Sequence, residues 1–105
     1  MVKKTVRAST QRPIMQLLDV LGQRWTLRIL WELRDRRLNF RELRESCDDV
    51  SPTSLNQRLK ALRALELVDL FEDGYGYTEW GEELGEQLLM LTKWSEKWGK
   101  RLRTE

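Results

Sequence analysis

Residues 51–62, Ser-Pro-Thr-Ser-Leu-Asn-Gln-Arg-Leu-Lys-Ala-Leu, have the pattern of a capped amphipathic helix. The hydroxyl of Ser51 can accept a hydrogen bond from an unpaired backbone N–H, and Pro52 suits the first helical position because its missing donor costs nothing there. At about 100° per residue, three leucines fall on one side of such a helix: Leu55, Leu59 and Leu62. The stretch therefore predicts a helix that begins at Ser51 or Pro52 and packs its leucine side on a core.

The opposite side of this helix carries a hydroxyl, two amides and a cation: Thr53, Asn56, Gln57 and Lys60. Amides can pair with adenine in DNA, a cation can reach guanine or phosphate, and a hydroxyl can serve either. Taken alone, however, such a side is more typical of an ordinary solvated helix face. The rest of the chain has to decide between these two interpretations.

Composition excludes several functional classes. The chain has 105 residues, one domain by length, with a single cysteine, Cys47, and no histidine. It therefore lacks an internal disulfide, a multi-cysteine zinc site and the commonest general base. The motifs of a phosphate-binding loop and of a nucleophile elbow do not occur in it, and we expect neither a membrane-spanning segment nor a signal peptide. We expect a cytoplasmic protein that is not an enzyme and uses no cofactor or metal.

Charge is distributed unevenly along the chain. Residues 1–65 contain 14 Lys and Arg against 7 Asp and Glu, a net charge of +7, whereas residues 66–105 contain 5 against 10, a net charge of −5. A polyanion is attracted to the first part and repelled by much of the second. We therefore expect the recognition surface before residue 66, with residues 1–12 as a flexible basic arm.

Apolar residues at helical spacing predict three helices ahead of the capped one, at Pro13–Leu21, about Trp25–Arg34 and Phe40–Cys47. The third of these and the capped helix are separated by a short turn at residues 48–50. Two helices joined by a tight turn, with polar groups on the outer side of the second, form a helix-turn-helix.

A β-hairpin is predicted after the capped helix. Residues 67–72 alternate as a strand, Asp73 and Gly74 form a two-residue turn, and residues 75–78 return as a second strand. The predicted fold is therefore mainly α with a small hairpin: a winged helix-turn-helix in one domain, residues 13–105.

The last segment, Glu79 to about Arg103, predicts one long helix with a heptad-like repeat. Its positions are apolar except for one serine: Leu84, Leu88, Leu91, Ser95, Trp98 and Leu102. Its own domain offers little surface to cover this repeat, so pairing with a second chain is the favoured interpretation. Packing on the first helix of the same chain is the alternative, and the two can hold together. We expect a dimer interface from the first and last helices: Ile14, Leu18, Leu21, Leu84, Leu88, Leu91, Trp98 and Leu102.

Several motifs in this order resemble a known family. They are Leu-Gly-Gln-Arg-Trp-Thr-Leu-Arg-Ile-Leu at 21–30, Phe-Arg-Glu-Leu at 40–43, the capped stretch 51–62, Leu-Val at 67–68 and Tyr-Gly-Tyr-Thr-Glu-Trp-Gly at 75–81. Together they are similar to the HxlR-type winged helix-turn-helix transcriptional regulators of the MarR-like superfamily. The resemblance covers about residues 13–102.

The resemblance implies a homodimeric regulator that places the helix near Ser51 in the major groove of a roughly palindromic DNA site. Residue by residue, it assigns contacts with base edges to Thr53, Asn56 and Gln57. It assigns contacts with phosphates to Arg24, Arg41, Arg44, Arg58 and Lys60. The alternative is a winged-helix module that binds another protein and no DNA.

This chain also departs from the family's pattern. Relatives often carry a sensing cysteine just before the first helix, where this chain has Gln-Arg-Pro at 11–13, and Cys47 matches a core position instead. Glu66 stands where the family usually has glycine, so a left-handed backbone there would cost roughly 1 kcal/mol. Carboxylates at the predicted wing tip, residues 72–75, predict a wing that contributes little to DNA binding.

The five tryptophans of the chain suggest a further possibility. Aromatic clusters near a dimer interface can bind a small hydrophobic effector. Packing explains these residues more simply, because no convergent polar group accompanies the rings. An effector therefore stays a possibility that the sequence does not support.

Overall fold

The computed structural model describes residues 12–104, so almost all of the predicted basic arm, residues 1–11, lies outside the described residues. Within these residues, five helices and one hairpin follow each other: α1 Pro13–Leu21, α2 Thr26–Glu32, α3 Phe40–Ser46, α4 Pro52–Ala64, β1 Val68–Phe71, β2 Gly74–Tyr77 and α5 Glu79–Thr104. The predicted fold, mainly α with a small antiparallel hairpin, is confirmed.

The core is built around α4. Leu55, Leu59 and Leu62 are at most 2 % exposed, as the leucine side of the predicted helix requires. The residues buried with them come from all the neighbouring elements: Ile29, Leu30, Leu33, Leu38, Leu43, Cys47, Val50, Leu67 and Val68. Fully burying a leucine contributes about 1.5–3 kcal/mol, so these contacts hold α4 in one orientation.

The turn between α3 and α4 is closed by hydrogen bonds in the backbone. Asp48 and Asp49 have left-handed φ angles of 56° and 60°. The N–H of Asp48 donates to the carbonyl of Glu45 at 3.1 Å, and the N–H of Asp49 donates to the carbonyl of Arg44 at 2.9 Å. This is the Schellman pattern of a helix end, here with aspartate at the position that usually holds glycine.

The end of α4 repeats this pattern. Glu66 has a φ of 61°, so the left-handed backbone considered for this position is present. The N–H of Glu66 donates to the carbonyl of Arg63 at 2.9 Å, and the N–H of Leu67 donates to the carbonyl of Leu62 at 3.0 Å. Leu62 and Leu67 are both buried, which is the apolar contact that accompanies such a helix end.

The hairpin turn lies one residue earlier than predicted. Phe71 pairs with Gly74, so the two turn residues are Glu72 and Asp73. Gly74 belongs to the strand, where its φ is +134° and a Cβ would lie 2.7 Å from the carbonyl carbon of Leu38. The glycine is needed because the Leu38 backbone passes so close, and the prediction that it forms the turn is wrong.

The helix limits also differ slightly from the predicted ones. The predicted helix at Trp25–Arg34 is shorter, because Trp25 has a left-handed φ of 79° and Leu33 already caps the end. Arg34 therefore lies beyond the helix, and its guanidinium lies 3.8 Å from the centre of the Trp31 ring. Cys47 likewise caps α3 rather than belonging to it.

Two glycines allow α5 to lie against the hairpin. A Cβ at Gly81 would lie 2.0 Å from the carbonyl oxygen of Leu67, and a Cβ at Gly85 would lie 2.9 Å from the Tyr77 ring. Tyr77 donates its hydroxyl to the carbonyl of Leu30. Burial raises the pKa of Tyr77 to about 12, so this donor keeps its proton. The start of α5 is thereby packed on the hairpin, and the hairpin is in turn bound to α2.

Candidate DNA-binding surface

The outer side of α4 is open. Thr53, Asn56, Gln57 and Lys60 are all exposed. None of these four side chains forms a hydrogen bond or an ion pair with another residue in the range 12–104. The hydroxyl of Ser51 accepts from the N–H of Ser54 at 3.1 Å, so the cap predicted for α4 is confirmed. α4 therefore exposes two amides, a hydroxyl and a cation on one side, while its leucines pack on the core from the opposite side.

Two of the arginines predicted to bind phosphate also form hydrogen bonds that hold α4 and the turn before it in place. Arg44 donates from Nε to the carbonyl of Val50 at 2.7 Å, across the turn. Arg58 donates from Nε to the carbonyl of Arg24 at 2.8 Å, which ties α4 to the loop before α2. A guanidinium has five N–H donors, so each of these arginines keeps donors for a phosphate.

The remaining predicted cations lie around α4. Arg41 is exposed on α3 and has no ion-pair or hydrogen-bond partner among the described side chains. Arg24 lies with its guanidinium 5.6 Å from the centre of the Trp25 ring. Because the Arg24 carbonyl is held by Arg58, the position of this cation depends on α4. The backbone of Arg24 therefore lies beside α4, and Arg41 lies on the helix that precedes it.

Arg28 is a bracing residue that the sequence analysis missed. Its guanidinium donates to Glu32 Oε2 at 3.0 Å, Asp48 Oδ2 at 3.3 Å and the carbonyl of Ser46 at 2.7 Å. It thus connects α2 with the end of α3 and the turn before α4. The one signal in the sequence was the spacing of four residues between Arg28 and Glu32, which is also common on solvated helix surfaces.

The acidic wing tip is partly neutralised within the domain. Arg37 donates from Nη1 to Asp73 Oδ1 at 2.8 Å, and its guanidinium lies 3.8 Å above the ring of Phe71. This hydrogen bond lowers the pKa of Asp73, so the carboxylate stays charged and paired. Glu72 is exposed beside it. Arg37 therefore removes one of the two negative charges that would face a phosphate.

Cys47 is sealed in the core. Its side chain is 0 % exposed, and burial raises the pKa of its thiol to about 11. The predicted burial of this cysteine is confirmed, although it caps α3 instead of lying within it. In the part of the chain that the structure describes, no group of three or more Cys, Asp or Glu side chains could hold a metal ion. No helix of that part is long and apolar enough to cross a membrane.

The residues predicted for a dimer interface divide into two groups. Ile14, Leu18, Leu91, Trp98 and Leu102 are 50–58 % exposed. Leu21, Leu84 and Leu88 are partly buried and pack against the core of their own chain. These three residues therefore pack within their own chain, against its core, while the other five leave an apolar surface open.

The tryptophans do not gather around one cavity. A cleft of about 600 Å³ lies between α2 and α5, and Trp31 is the one tryptophan that lines it. Trp94 and Trp98 stack on each other with ring centres 5.5 Å apart. Trp80 is 61 % exposed. These positions give no shared aromatic pocket for an effector.

Comparison with protein families identifies the chain. The sequence pattern of the HxlR-like helix-turn-helix family matches residues 20–103, which includes every element from the end of α1 to the last turn of α5. The chain belongs to the HxlR-like helix-turn-helix family. This HxlR-like chain is therefore a transcriptional regulator of the winged-helix type, a class that binds DNA, and it is not an enzyme.

Known proteins are similar to this HxlR-like chain along most of their length. The HxlR-like chain is 28% identical over 88 residues to an uncharacterised helix-turn-helix transcriptional regulator of Methanocaldococcus jannaschii, covering 80% of this chain and 83% of that one. The crystal structure of a possible HxlR family transcriptional factor from Thermoplasma volcanium has a TM-score of 0.72 and 27% identity, covering 86% and 87%. The quinone-bound regulator YodB from Bacillus subtilis has a TM-score of 0.73 and 28% identity, covering 80% and 96%.

Proposed function

We propose that this HxlR-like chain forms a homodimer that binds a roughly palindromic DNA operator and regulates transcription by occupying it. One α4 of each copy enters the major groove, with centres about one helical turn of DNA, or a multiple of it, apart. The observation that carries the proposal is the open side of α4, where amides face outward on a helix fixed by three buried leucines. Such a protein works in the cytoplasm, where DNA is accessible to it.

The proposed contacts follow from the position of each side chain. Thr53, Asn56 and Gln57 are free on the outer side of α4 and contact base edges. Phosphates are contacted by cations at the border of that side: Arg24, Arg41, Arg44, Arg58 and Lys60. Arg44 and Arg58 do so while keeping the backbone contacts that brace the turn, because each uses Nε for the brace.

Selection of bound duplexes from a random pool tests this proposal. The selected sites should share a motif with twofold symmetry. Gln57→Ala should lower affinity by about 1–3 kcal/mol at one base pair and relax the preference there. Lys100→Ala, which truncates an exposed side chain on the side of α5 away from the predicted dimer interface, is the control and should leave the preference unchanged.

Salt dependence separates the base contacts from the phosphate contacts. Lys60→Ala should weaken binding to all duplexes and reduce the slope of log affinity against log salt by about one. Gln57→Ala should leave that slope unchanged. A chain that binds no duplex even at low salt would overturn the proposal and favour the protein-interaction module.

A further inference from the structure

The cleft between α2 and α5 is large enough to hold a small molecule. Its volume is about 600 Å³. Pockets that bind small molecules usually measure about 300–1,000 Å³ and are mostly apolar. Six large apolar or aromatic side chains line this cleft: Leu27, Trp31, Tyr77, Leu88, Leu89 and Leu91. Leu27, Trp31, Leu89 and Leu91 are 41–58 % exposed, so the folded domain leaves much of the apolar wall in contact with water.

The charged groups of the cleft are mostly carboxylates. Asp35, Glu82 and Glu86 line it together with one cation, Arg34. Arg34 Nε lies 3.6 Å from Asp35 Oδ2, and its Nη1 donates to the carbonyl of Trp31 at 2.7 Å. Glu82 and Glu86 have no ion-pair partner in the range 12–104. The cleft therefore keeps two negative charges that its own cation does not pair with.

These two glutamates are also close to each other. Glu82 and Glu86 are four residues apart on α5, so their side chains are neighbours on one side of the helix. Like charges at this spacing destabilise a helix. The helix dipole favours Glu82, which lies in the first turn, but acts little on Glu86. A cation bound in the cleft would offset the repulsion between the two carboxylates.

The hydroxyl groups of the cleft already donate to the backbone. Thr92 Oγ1 donates to the carbonyl of Leu88 at 3.0 Å, and Ser95 Oγ donates to the carbonyl of Thr92 at 2.7 Å. The hydroxyl of Tyr77 donates to the carbonyl of Leu30. Each hydroxyl has one proton, so these three groups can only accept a hydrogen bond from a ligand. Independently of charge, the cleft therefore favours a ligand that donates hydrogen bonds.

We infer that this cleft binds a small organic cation, an ammonium group on an apolar body. The ammonium lies at Glu82 and Glu86, where it pairs with both charges and donates hydrogen bonds. The apolar body lies along Leu27, Trp31 and Leu89 and removes their exposed surface from water. A neutral ligand gains only the apolar contact, and an anion is repelled by the carboxylates.

A second copy of the chain is the competing occupant of the cleft. Leu88 and Leu91 line the cleft and are also predicted for the dimer interface. The other side chains predicted for that interface are apolar as well, so a partner helix that covers the cleft with them leaves Glu82 and Glu86 without a cation. Covering a charge without a partner is unfavourable. The charge of the cleft therefore favours a small cation over a second copy.

Three probes with the same ring system test the class of ligand. They are the cation 1-naphthylmethylammonium, the neutral alcohol 1-naphthalenemethanol and the anion 1-naphthoate. Isothermal titration calorimetry on the full chain should show that the cation binds roughly tenfold more tightly than the alcohol and that the anion binds least. The proposal is overturned when the cation does not bind, or when it binds no more tightly than the alcohol.

Charge-neutral variants test the two glutamates. Glu82→Gln with Glu86→Gln keeps the size of both side chains and removes both charges. It should weaken binding of the cation roughly tenfold and leave binding of the alcohol unchanged. Glu83→Gln with Glu96→Gln is the matched control, because it removes two exposed glutamates of the same helix that do not line the cleft. An equal loss in the control would indicate a general effect of charge and contradict the site.

The indole resonances locate the bound cation. Trp31 is the one tryptophan that lines the cleft, so its indole N–H should shift more than those of the other four in proton–nitrogen correlation spectra. A larger shift at Trp80, or at Trp94 and Trp98, would place the cation elsewhere. An affinity that disappears as the protein concentration rises would show that a second copy covers the cleft. Either result overturns the proposal.

The cation site and the DNA-binding surface are tested separately. The side chains proposed to contact DNA are not among those that line the cleft. Gln57→Ala should therefore leave binding of the cation unchanged, and Glu82→Gln with Glu86→Gln should leave the preferred DNA sequence unchanged. A chain that binds the cation but no duplex supports the site and overturns the DNA-binding proposal alone.

Discussion

The helix-turn-helix and the second half of α5 are both helical, but they obtain their stability differently. In α3 and α4 every apolar anchor is buried by the same chain, and each helix end is closed by a cap, an arginine brace or a left-handed residue. In residues 93–104 the large apolar side chains stay half exposed. One region thus buries its apolar side chains within a single copy, whereas the other leaves apolar side chains exposed that a second copy can cover.

Replacing one leucine in each region should give the largest difference in stability between the two regions. Leu55 is 0 % exposed and Leu102 is 54 % exposed. Leu55→Ala should lower the free energy of unfolding by about 2–5 kcal/mol at every protein concentration. Leu102→Ala should cost less than about 0.5 kcal/mol in dilute solution and reduce the gain in stability that the parent shows as concentration rises. Urea unfolding at two protein concentrations measures both, and equal losses would contradict the comparison.

The core of the helix-turn-helix should also give a signature at high pH. Burial raises the pKa of Cys47 from 9.0 to about 11, so the unfolded chain loses this proton first. The resulting stability is fully present below pH 9 and is lost as the pH rises to about 11. The free energy of unfolding should therefore fall less steeply over this range in Cys47→Ala than in the parent.

Alkylation of Cys47 by iodoacetamide checks the same burial. The reaction should be far slower in the folded chain than in urea, because the thiol is both enclosed and protonated. Equal rates in the two states would show that the core around α3 is open.

The cap of α4 should matter more than the free end of α5. Ser51→Ala removes the acceptor for the Ser54 N–H and should lower the free energy of unfolding by about 1 kcal/mol. Thr104→Ala removes an exposed hydroxyl that donates to the carbonyl of Arg101 and should cost less than about 0.5 kcal/mol. Thermal unfolding followed by circular dichroism measures the pair, and a larger effect at Thr104 would reverse the ranking.

The smallest expected effect is a gain of stability at the other end of α4. Glu66→Gly removes the strain of a left-handed glutamate, and part of this gain is lost to the greater freedom of glycine in the unfolded chain. A net stabilisation of about 0.5–1 kcal/mol is expected. Asp48→Gly is the matched control, because it relieves the same backbone but also loses the ion pair with Arg28, so its gain should be smaller.

The sequence was most informative where one local pattern decides the structure. The Ser51 cap, the Pro52 start and the three leucines located α4 and its open side, because capping and helical periodicity act over a few residues. The hairpin was found but its turn was displaced by one residue. An Asp-Gly pair in the sequence is compatible with two structures. The glycine can form the turn, or, as at Gly74, it can lie in a strand where another segment of backbone passes closely.

Other features depend on contacts between distant residues, and no local pattern carries them. The brace from Arg28 to the turn spans 20 residues, and the bond from Arg58 to the Arg24 carbonyl spans 34. The pairing of Arg37 with Asp73, which neutralises the wing tip, spans 36. The sequence analysis considered the carboxylates of the wing tip without this partner, so it overstated how acidic the wing is.

By itself, the sequence determined the order of the elements, the position of α4 with its polar side, and the burial of Cys47. Only the tertiary structure decided which arginines brace the turn, why Gly81 and Gly85 are glycines, and which part of the α5 repeat its own core covers. The physical reason is distance along the chain. Propensity, capping and periodicity are settled within one or two helical turns, whereas burial and ion pairing depend on where separate elements meet.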